Sequence, residues 1–379
     1  MPRLFLYASA GPELTSYSVD VDAATLGRGT TISLPANVQY AWPHASRRIL
    51  YVASSDGTSG KTHHLTALRI DPGSGELSPH GAVVALPARP IHICTDGPSR
   101  HVLAAFNDPP ALRVYTIGAD GELGAERPQP EHIDPGIYPH QIRVSDDNRM
   151  AILIARGNDP ASDKPEDPGA LKVFRYDDGD LRDEVSIAPN GGYGFGPRHL
   201  DFHPTQPWVY VSLERQNRLV MFEMTGGRLS PLPLFSQTLL AAPDAAYPRQ
   251  LGGTVHVHPN GRFVYAANRA DATTMMDGQP VFAGGENNLA VYEIDAASGE
   301  PKPIQHIDTR GIHCRTFHID PSGRMLVAAH ISPLRTKEGM VPAGMTVFRI
   351  GDDGRLSYLR RYDIDAGNRM VFWMGMVAA

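Results

Sequence analysis

The amino-acid sequence predicts an all-β protein, a seven-bladed β-propeller built from four-stranded antiparallel blades. Three observations support this prediction. A pair of strand-like runs recurs along the chain, with its clearest copies at residues 196–215, 252–270 and 313–332. Each pair is followed by a third alternating run, such as LTALRIDPGSGEL or GMTVFRIGDDGRL, whose Gly-containing corners are typical of hairpins. The repeating unit is about 50 residues long, which is typical of a propeller blade.

Six blades begin inside the chain, and the seventh is predicted to be shared between its two ends. Residues 3–30 have the pattern of second, third and fourth strands, whereas residues 369–374 have the pattern of an innermost strand without partners. Joining them closes the ring and removes exposed strand edges, which promote aggregation. We therefore expect one domain over residues 1–379, with blade seven split between residues 1–30 and 363–379. The first strands of blades one to six align on Val38, Pro90, Pro139, Pro197, Gly252 and Cys314.

Composition and charge exclude several classes of partner. The chain has 35 Lys and Arg residues against 41 Asp and Glu, a net charge of −6, and no basic block, so nucleic acid is not expected. No stretch approaches the roughly 18 consecutive apolar residues of a membrane helix, so no membrane partner is expected either. The N-terminal run LFLYASAGP has features of a weak signal peptide, but residues 3–10 match residues 48–55 and are interpreted as a strand.

The cysteines and histidines further limit the prediction. Cys94 and Cys314 fall in copies two and six of the repeat, which argues against a disulfide and favours a reducing cytoplasm. The 16 histidines include no HExxH motif and no tight Cys/His spacing, so neither a metal nor another cofactor is expected. The oligomeric state is left open between monomer and dimer.

Charged residues recur at one position of the blades. In an antiparallel hairpin the first residue of the inner strand lies beside the last residue of the second strand. A constant separation of 16 residues predicts these neighbours in every copy. In blade seven, Arg369 takes the inner-strand position. The other pairs are His140 with Arg156, Arg198 with Glu214, Gly253 with Arg269, Arg315 with Ile331, Gln39 with Ser55 and Ile91 with Asn107.

This position predicts a binding site for an anion at one mouth of the channel. Five arginines, a histidine and a carboxylate converge there, mainly from blades three to six. Like charges at short range repel each other strongly where the effective dielectric constant is low. A carboxylate or phosphate ligand compensates for this repulsion, and the planar guanidinium fork suits both. The alternative to a binding site is a purely structural role. In that case ion pairs such as Arg198 with Glu214 fill a hydrated channel, and His140 is a core histidine whose hydrogen bonds are satisfied.

The segments GPRHLDFHP, HPNGRFVYAANR and RTFHIDPSGRMLVAA resemble the seven-bladed propeller lactonases. This family includes a bacterial type of 6-phosphogluconolactonase and the fungal carboxy-cis,cis-muconate cyclase, and the similarity extends over essentially the whole chain. The resemblance implies an active site in the channel mouth. Longer links follow the second strands of blades one, three and five in this sequence, so the substrate of any one relative does not transfer directly. The family's histidine, two arginines and glutamate correspond to His140, Arg198, Glu214 and Arg269.

The leading hypothesis is hydrolysis of an anionic sugar-acid lactone. Either His140 or Glu214 acts as the base, while Arg198 and Arg269 hold the oxyanion and the ester carbonyl. A carboxymuconate-type cycloisomerase and a non-catalytic interaction propeller are the alternatives. The partner is thus expected to be a small anionic lactone or carboxylate. The predicted substrate-binding residues are Arg156, Arg315, Arg369, His92, His199 and Asn107.

Overall fold

A computed structural model describes residues 2–379 and confirms the predicted fold class. Seven antiparallel sheets form the blades, each with four strand positions; in blades one and four the outer position is divided between two short strands. In blades one to six the strands follow the chain from the channel outwards, whereas in blade seven the last strand of the chain is innermost. Strand residues alternate between the two faces of each sheet, and the apolar side chains pack against the neighbouring blade. One such cluster joins Leu103 and Val114 of blade two to Ile142 and Leu153 of blade three. Residues 2–379 contain no helix of the length and apolarity needed to cross a bilayer.

The strands are described by their order from the channel, with blades one to six first and blade seven last. The inner strands are Asn37–Pro43, Pro90–Thr95, Pro139–Val144, Pro197–Phe202, Leu251–Val257, Cys314–Ile319 and Met374–Ala378. The second strands are Ile49–Ser55, His101–Asn107, Met150–Ala155, Trp208–Leu213, Phe263–Arg269, Met325–His330 and Leu4–Ala10. The third strands are His63–Ile70, Pro110–Ile117, Ala170–Asp177, Arg218–Thr225, Asn288–Ile294, Gly344–Ile350 and Glu13–Asp20.

The outer positions are more variable, and three further elements lie in connections. The outer strands are Leu77–Pro79 with Val84–Ala85, Leu123–Arg127, Asp180–Ile187, Arg228–Leu229 with Phe235–Thr238, Pro301–Asp308, Leu356–Asp363 and Thr25–Ser33. Two small hairpins are Thr273–Met276 with Gln279–Phe282 and Leu334–Thr336 with Gly339–Val341. A 3-10 turn, Pro189–Gly192, precedes blade four.

Blade seven is closed by strands from the two ends of the chain, although its inner strand begins later than predicted. Met374–Ala378 pairs with Leu4–Ala10, in a register that places Ala8 opposite Met374. The prediction of a strand over residues 369–374 was therefore wrong. The backbone of this segment makes other hydrogen bonds instead of strand pairs. The Val371 amide donates to the Ile331 carbonyl of blade six at 2.8 Å, and the Arg369 amide donates to the Ala366 carbonyl within a turn at 2.9 Å.

Each inner strand of blades one to six contains a β-bulge near its start. In blade three, Pro139 pairs with Ala155 and Gln141 with Ile154, so His140 is an additional residue with no partner in the ladder. The predicted pairing of His140 with Arg156 was therefore wrong. The ladder pair with a separation of 16 residues is Pro139 with Ala155, one residue earlier in each strand. A bulge redirects a side chain while the strands on either side stay paired. The additional residues are Gln39, Ile91, His140, Arg198 and Arg315, with residues 253–254 sharing this role in blade five.

A repeated hydrogen bond fastens neighbouring blades together. A buried tyrosine of a second strand donates its hydroxyl to a glycine carbonyl in the outer hairpin of the next blade. These glycines have φ between +75° and +87°, and a Cβ at Gly354 would lie 2.3 Å from Phe263, so only glycine fits there. The pairs are Tyr7 with Gly75, Tyr51 with Gly121, Tyr210 with Gly299 and Tyr265 with Gly354, at 2.8–3.0 Å.

Candidate active site

The centre of the candidate site is Glu214, which follows the second strand of blade four and is 2% exposed. Its Oε1 accepts a hydrogen bond from Nη1 of Arg198 at 2.6 Å and another from Nη2 of Arg269. Its Oε2 accepts one from Nη1 of Arg156 at 2.8 Å. Arginines from blades three, four and five therefore meet on one carboxylate. Burial alone would raise the pKa of Glu214, but Arg198, Arg269 and Arg156 outweigh it and hold the pKa well below its usual range.

Arg269 also contacts a histidine, which in turn contacts a carboxylate. Its Nη1 donates to Nε2 of His313 at 3.0 Å, and Nδ1 of His313 contacts Asp271 at 2.8 Å. Because Nε2 accepts, the ring proton lies on Nδ1 and is donated to Asp271. Burial lowers the pKa of His313 to about 4, although the hydrogen bond to Asp271 opposes this shift. This pair orients Arg269 towards Glu214, and the sequence analysis did not identify it.

Arg315 lies in the same mouth and has no carboxylate partner among residues 2–379. Its Nε donates to the Phe372 carbonyl at 3.1 Å, and its guanidinium carbon lies 3.5 Å from the centroid of the Phe372 ring. The guanidinium carbon of Arg89 lies 5.7 Å from the same centroid, and Nε of Arg89 donates to Gln39 at 2.8 Å. Burial, followed by the charges of Arg198, Arg269 and Arg89, lowers the pKa of Arg315 well below its ordinary value.

Three histidines lie near the mouth: His140 is the bulge residue of blade three, and His199 and His92 directly follow the bulge residues of blades four and two. The rings of His140 and His199 have centroids 5.2 Å apart, and those of His199 and His92 are 6.3 Å apart. All three are buried, and His140 Nδ1 and both nitrogens of His92 have no hydrogen-bond partner in the structure. Burial, followed by the nearby guanidinium charges, lowers the pKa of His140 and His199 well below the usual value. The imidazoles are therefore neutral at physiological pH.

Three further predicted substrate-binding residues, Arg369, Asn107 and Arg156, lie in three different settings. Arg369 is not in the buried cluster, because its side chain is 39% exposed and its Nη1 binds Glu13 at 2.9 Å on the rim. Its assignment to the inner position of blade seven was wrong, and Phe372 lies there instead. Asn107 is buried on the second strand of blade two, and its Oδ1 has no partner. Arg156 belongs to the cluster and stacks over Tyr138, with 4.2 Å between its guanidinium carbon and the ring centroid.

Comparison with known proteins identifies the family to which this arrangement belongs. Residues 7–332 match the model of a family described as "Lactonase, 7-bladed beta-propeller". The chain belongs to this lactonase family. It is 28% identical over 332 residues to a 6-phosphogluconolactonase of Bacillus subtilis (strain 168), covering 86% of each chain. It is 25% identical over 361 residues to a 6-phosphogluconolactonase of Serratia proteamaculans (strain 568), covering 94% of this chain and 93% of the relative.

Solved structures support the same fold. A periplasmic gluconolactonase of Pseudomonas aeruginosa superposes on this propeller lactonase with a TM-score of 0.75 and 22% identity, covering 99% of each chain. A protein of Bacteroides uniformis described as a putative 6-phosphogluconolactonase gives a TM-score of 0.74 at 20% identity, again covering 99% of each chain. At this level of identity the structural likeness establishes the architecture, while family membership rests on the sequence match.

The mouth of this lactonase-family propeller is bordered by connections between second and third strands. As predicted, the long links of blades one, three and five lie at the end where Arg269 lies. The blade-five link contains the hairpin Thr273–Met276 with Gln279–Phe282, and a second hairpin in blade six packs near it. The sequence analysis missed the blade-six hairpin. Both hairpins present exposed methionines, with Met275 69% and Met340 57% exposed. The rim on this side therefore presents exposed methionines next to exposed charged residues such as Asp277 and Lys337.

The channel contains two compartments of very different size. The compartment beside His140, Arg198 and Arg315 has a volume of about 10 Å³. The opposite end holds a cavity of about 700 Å³, lined by alternate inner-strand residues that include Arg143 and Asp201. These two residues form an ion pair at 3.0 Å, so their charges cancel. The uncompensated positive charge of this lactonase-family chain is consequently concentrated at the mouth.

Proposed function

We propose that this chain hydrolyses the lactone ring of an anionic sugar acid at the channel mouth. The observation that supports this most strongly is the excess of buried positive charge. Arg156, Arg198, Arg269 and Arg315 surround a single carboxylate, Glu214. Burying unpaired charge is costly, so the cluster is more stable with an anion bound. The relatives named 6-phosphogluconolactonase and gluconolactonase support a sugar-acid lactone as the substrate class.

His140 is better suited than Glu214 to act as the general base. Both oxygens of Glu214 accept hydrogen bonds from guanidinium groups, so its lone pairs are engaged and its basicity is low. His140 is neutral and its Nδ1 has no partner. Its pKa is depressed partly by Arg198 and Arg315, so a bound anion that offsets these charges raises that pKa towards the useful range. We therefore assign Glu214 to the orientation of the arginines.

The proposed reaction follows from these assignments. A water oxygen attacks the lactone carbonyl carbon while the imidazole of His140 takes one of its protons. Arg198 and Arg269 stabilise the oxyanion, because their buried guanidinium groups are already oriented when charge develops there. The bond between this carbon and the ring oxygen then breaks, and His140 returns the proton to the leaving alkoxide. The product is an open-chain hydroxy acid; its carboxyl group releases a proton to solvent and stays among the arginines as a carboxylate until the product leaves.

The test is hydrolysis of glucono-δ-lactone and of 6-phosphogluconolactone, followed by NMR at pH 6.5, where the spontaneous reaction is slow enough to subtract. We expect turnover that His140→Ala reduces by about 10²–10⁴-fold. His132→Ala is the matched control, since it removes an exposed histidine from the connection between blades two and three. Turnover equal to the spontaneous rate with every lactone would refute the proposal. Conversion of a carboxymuconate instead would support the cycloisomerase alternative.

A further inference from the structure

The two compartments of the channel share part of their wall. Tyr40, His199 and Thr316 line both the small compartment at the mouth and the large cavity at the opposite end. All three belong to inner strands, from blades one, four and six. The two spaces are therefore neighbours, and the rings of Tyr40 and His199 together with the Thr316 hydroxyl lie at the boundary between them.

Buried polar atoms without protein partners lie along this boundary. They include Nδ1 of His140, Oγ1 of Thr316 and both nitrogens of His92, whose ring lies 3.8 Å from that of Tyr40. Buried polar atoms in native proteins are almost always hydrogen-bonded, either to protein or to ordered water. Each of these atoms is covered by neighbouring side chains, so a water molecule reaches it only when a side chain at the boundary moves. Polar groups that can bind such a water molecule therefore lie between the far cavity and the proposed base.

The size of the mouth compartment limits how water can arrive. A volume of about 10 Å³ holds roughly one water molecule. A lactone that binds the arginines covers this compartment from the mouth side, and solvent from that side is then blocked. The far cavity remains open to solvent. Its buried arginine, Arg143, is paired with Asp201, so this end offers no unpaired buried guanidinium group to an anionic substrate. The two ends of the channel are thus suited to different molecules.

We propose that the hydrolytic water reaches His140 from the far cavity, through the passage formed by Tyr40, His199 and Thr316. Substrate and water therefore use opposite ends of the channel, and His199 is a positioning residue for the water. This inference rests on the proposed lactone hydrolysis. One water is consumed per turnover; the proton that His140 takes from it returns to the leaving oxygen, so the passage supplies water and carries no net charge.

The first experiment obstructs the far cavity and leaves the mouth intact. His318 lines the cavity two residues beyond Thr316, and the native Cys94 and Cys314 are 0% exposed, so His318→Cys provides one reactive thiol. We label it with methyl and benzyl methanethiosulfonate, which are uncharged. Ser357→Cys, on the exposed face of an outer strand, is the matched control. We expect the benzyl adduct to lower kcat by about tenfold or more with KM within about twofold, and the methyl adduct to have a smaller effect.

Three outcomes of the labelling would overturn the inference. Complete benzyl labelling with unchanged kcat shows that water does not pass through the cavity. A matching rise in KM shows that the label disturbs the mouth and that the loss of turnover does not come from a blocked water route. Absence of lactone hydrolysis in the unlabelled protein removes the proposed function and this inference with it, and that result is distinguishable because it precedes labelling.

A second experiment separates passage of water from packing at His199. His199→Phe preserves a ring against His140 but closes the passage with an apolar group, whereas His199→Asn loses the ring and keeps a polar side chain. The inference predicts that the Phe variant loses about tenfold in kcat and that the Asn variant retains most of it. The opposite order would show that His199 acts only by packing against His140. The pH profile of kcat/KM should change little in the Asn variant, because Arg198, Arg315 and Arg156 remain near His140.

Discussion

Replacement of Glu214 by glutamine tests whether one carboxylate holds the mouth together. The variant has nearly the same shape, but its amide nitrogen is a donor facing guanidinium donors, and the four arginines lose their common counter-charge. Removing one partner of a buried ion pair costs about 3–5 kcal/mol, because the remaining charge stays buried without compensation. We expect the free energy of unfolding to fall by this amount in a buffer free of phosphate and carboxylates.

Urea denaturation at pH 7.5 and a thermal melt measure this loss. The control is Glu126→Gln, which breaks the pair of Glu126 with Arg113, where the side chains are 42% and 36% exposed. An exposed pair of this kind contributes at most about 1 kcal/mol. If Glu214→Gln costs no more than Glu126→Gln, the view of Glu214 as the electrostatic centre of the site is wrong.

The pH dependence of this difference has a defined sign. The pKa of Glu214 is depressed in the folded protein, so its contribution is fully present above the pKa of the unfolded state and is lost as pH falls towards the folded-state value. The unfolded-state pKa of glutamate is about 4.3. The difference in stability between the wild type and Glu214→Gln should therefore stay constant from pH 8 to about pH 5 and shrink below about pH 4. A difference that grows on acidification would contradict the assignment.

Four further results are expected. Arg315→Ala should mainly raise KM, because Arg315 has no carboxylate partner and is available to the distal anionic group of a substrate; a fall in kcat alone would contradict this. The pH profile of kcat/KM should stay flat from pH 8 down to pH 6, because burial and nearby arginines lower the pKa of His140; a base with an ordinary histidine pKa would show a decline in this range. Tyr265→Phe should cost about 1–3 kcal/mol in urea denaturation by leaving the Gly354 carbonyl unpaired, and a neutral result would show that this inter-blade bond is not structural. Deletion of residues 368–379 should abolish cooperative melting, since it removes the inner strand of blade seven; a soluble, cooperatively melting truncation would refute the need for closure.

The repeat made most of the fold predictable, because every strand is paired with a neighbour in sequence and every blade has a copy for comparison. Comparison of the copies could not predict the strand register at the mouth, where the first residues of the inner strands lie. The bulge adds a residue at the same place in each inner strand, so all copies keep the same spacing and no copy reveals it. His140 and Arg198 nevertheless lie in the site, since the bulge residue is the one that the alignment had selected.

Other parts of the site could not be predicted because no repeated pattern contains them. The inner strand of blade seven has no complete copy to align with, which is why Arg369 was placed where Phe372 lies. His313 precedes the inner strand of blade six, and Asp271 lies in the long link of blade five. Their contact joins two blades through segments outside the repeat, and only the three-dimensional structure brings them together.

The bulges have a consequence for how such a site can change over generations. A residue outside the hydrogen-bond ladder can be exchanged for one of different size or charge while the strands beside it stay registered. The mouth therefore presents at least one such position from each of blades one to six on a common frame, although Arg198 is also coupled to Arg156 and Arg269 through Glu214. Substrate preference can then change at these positions without a shift of the strands, and the tyrosine bonds between blades near the periphery are left in place.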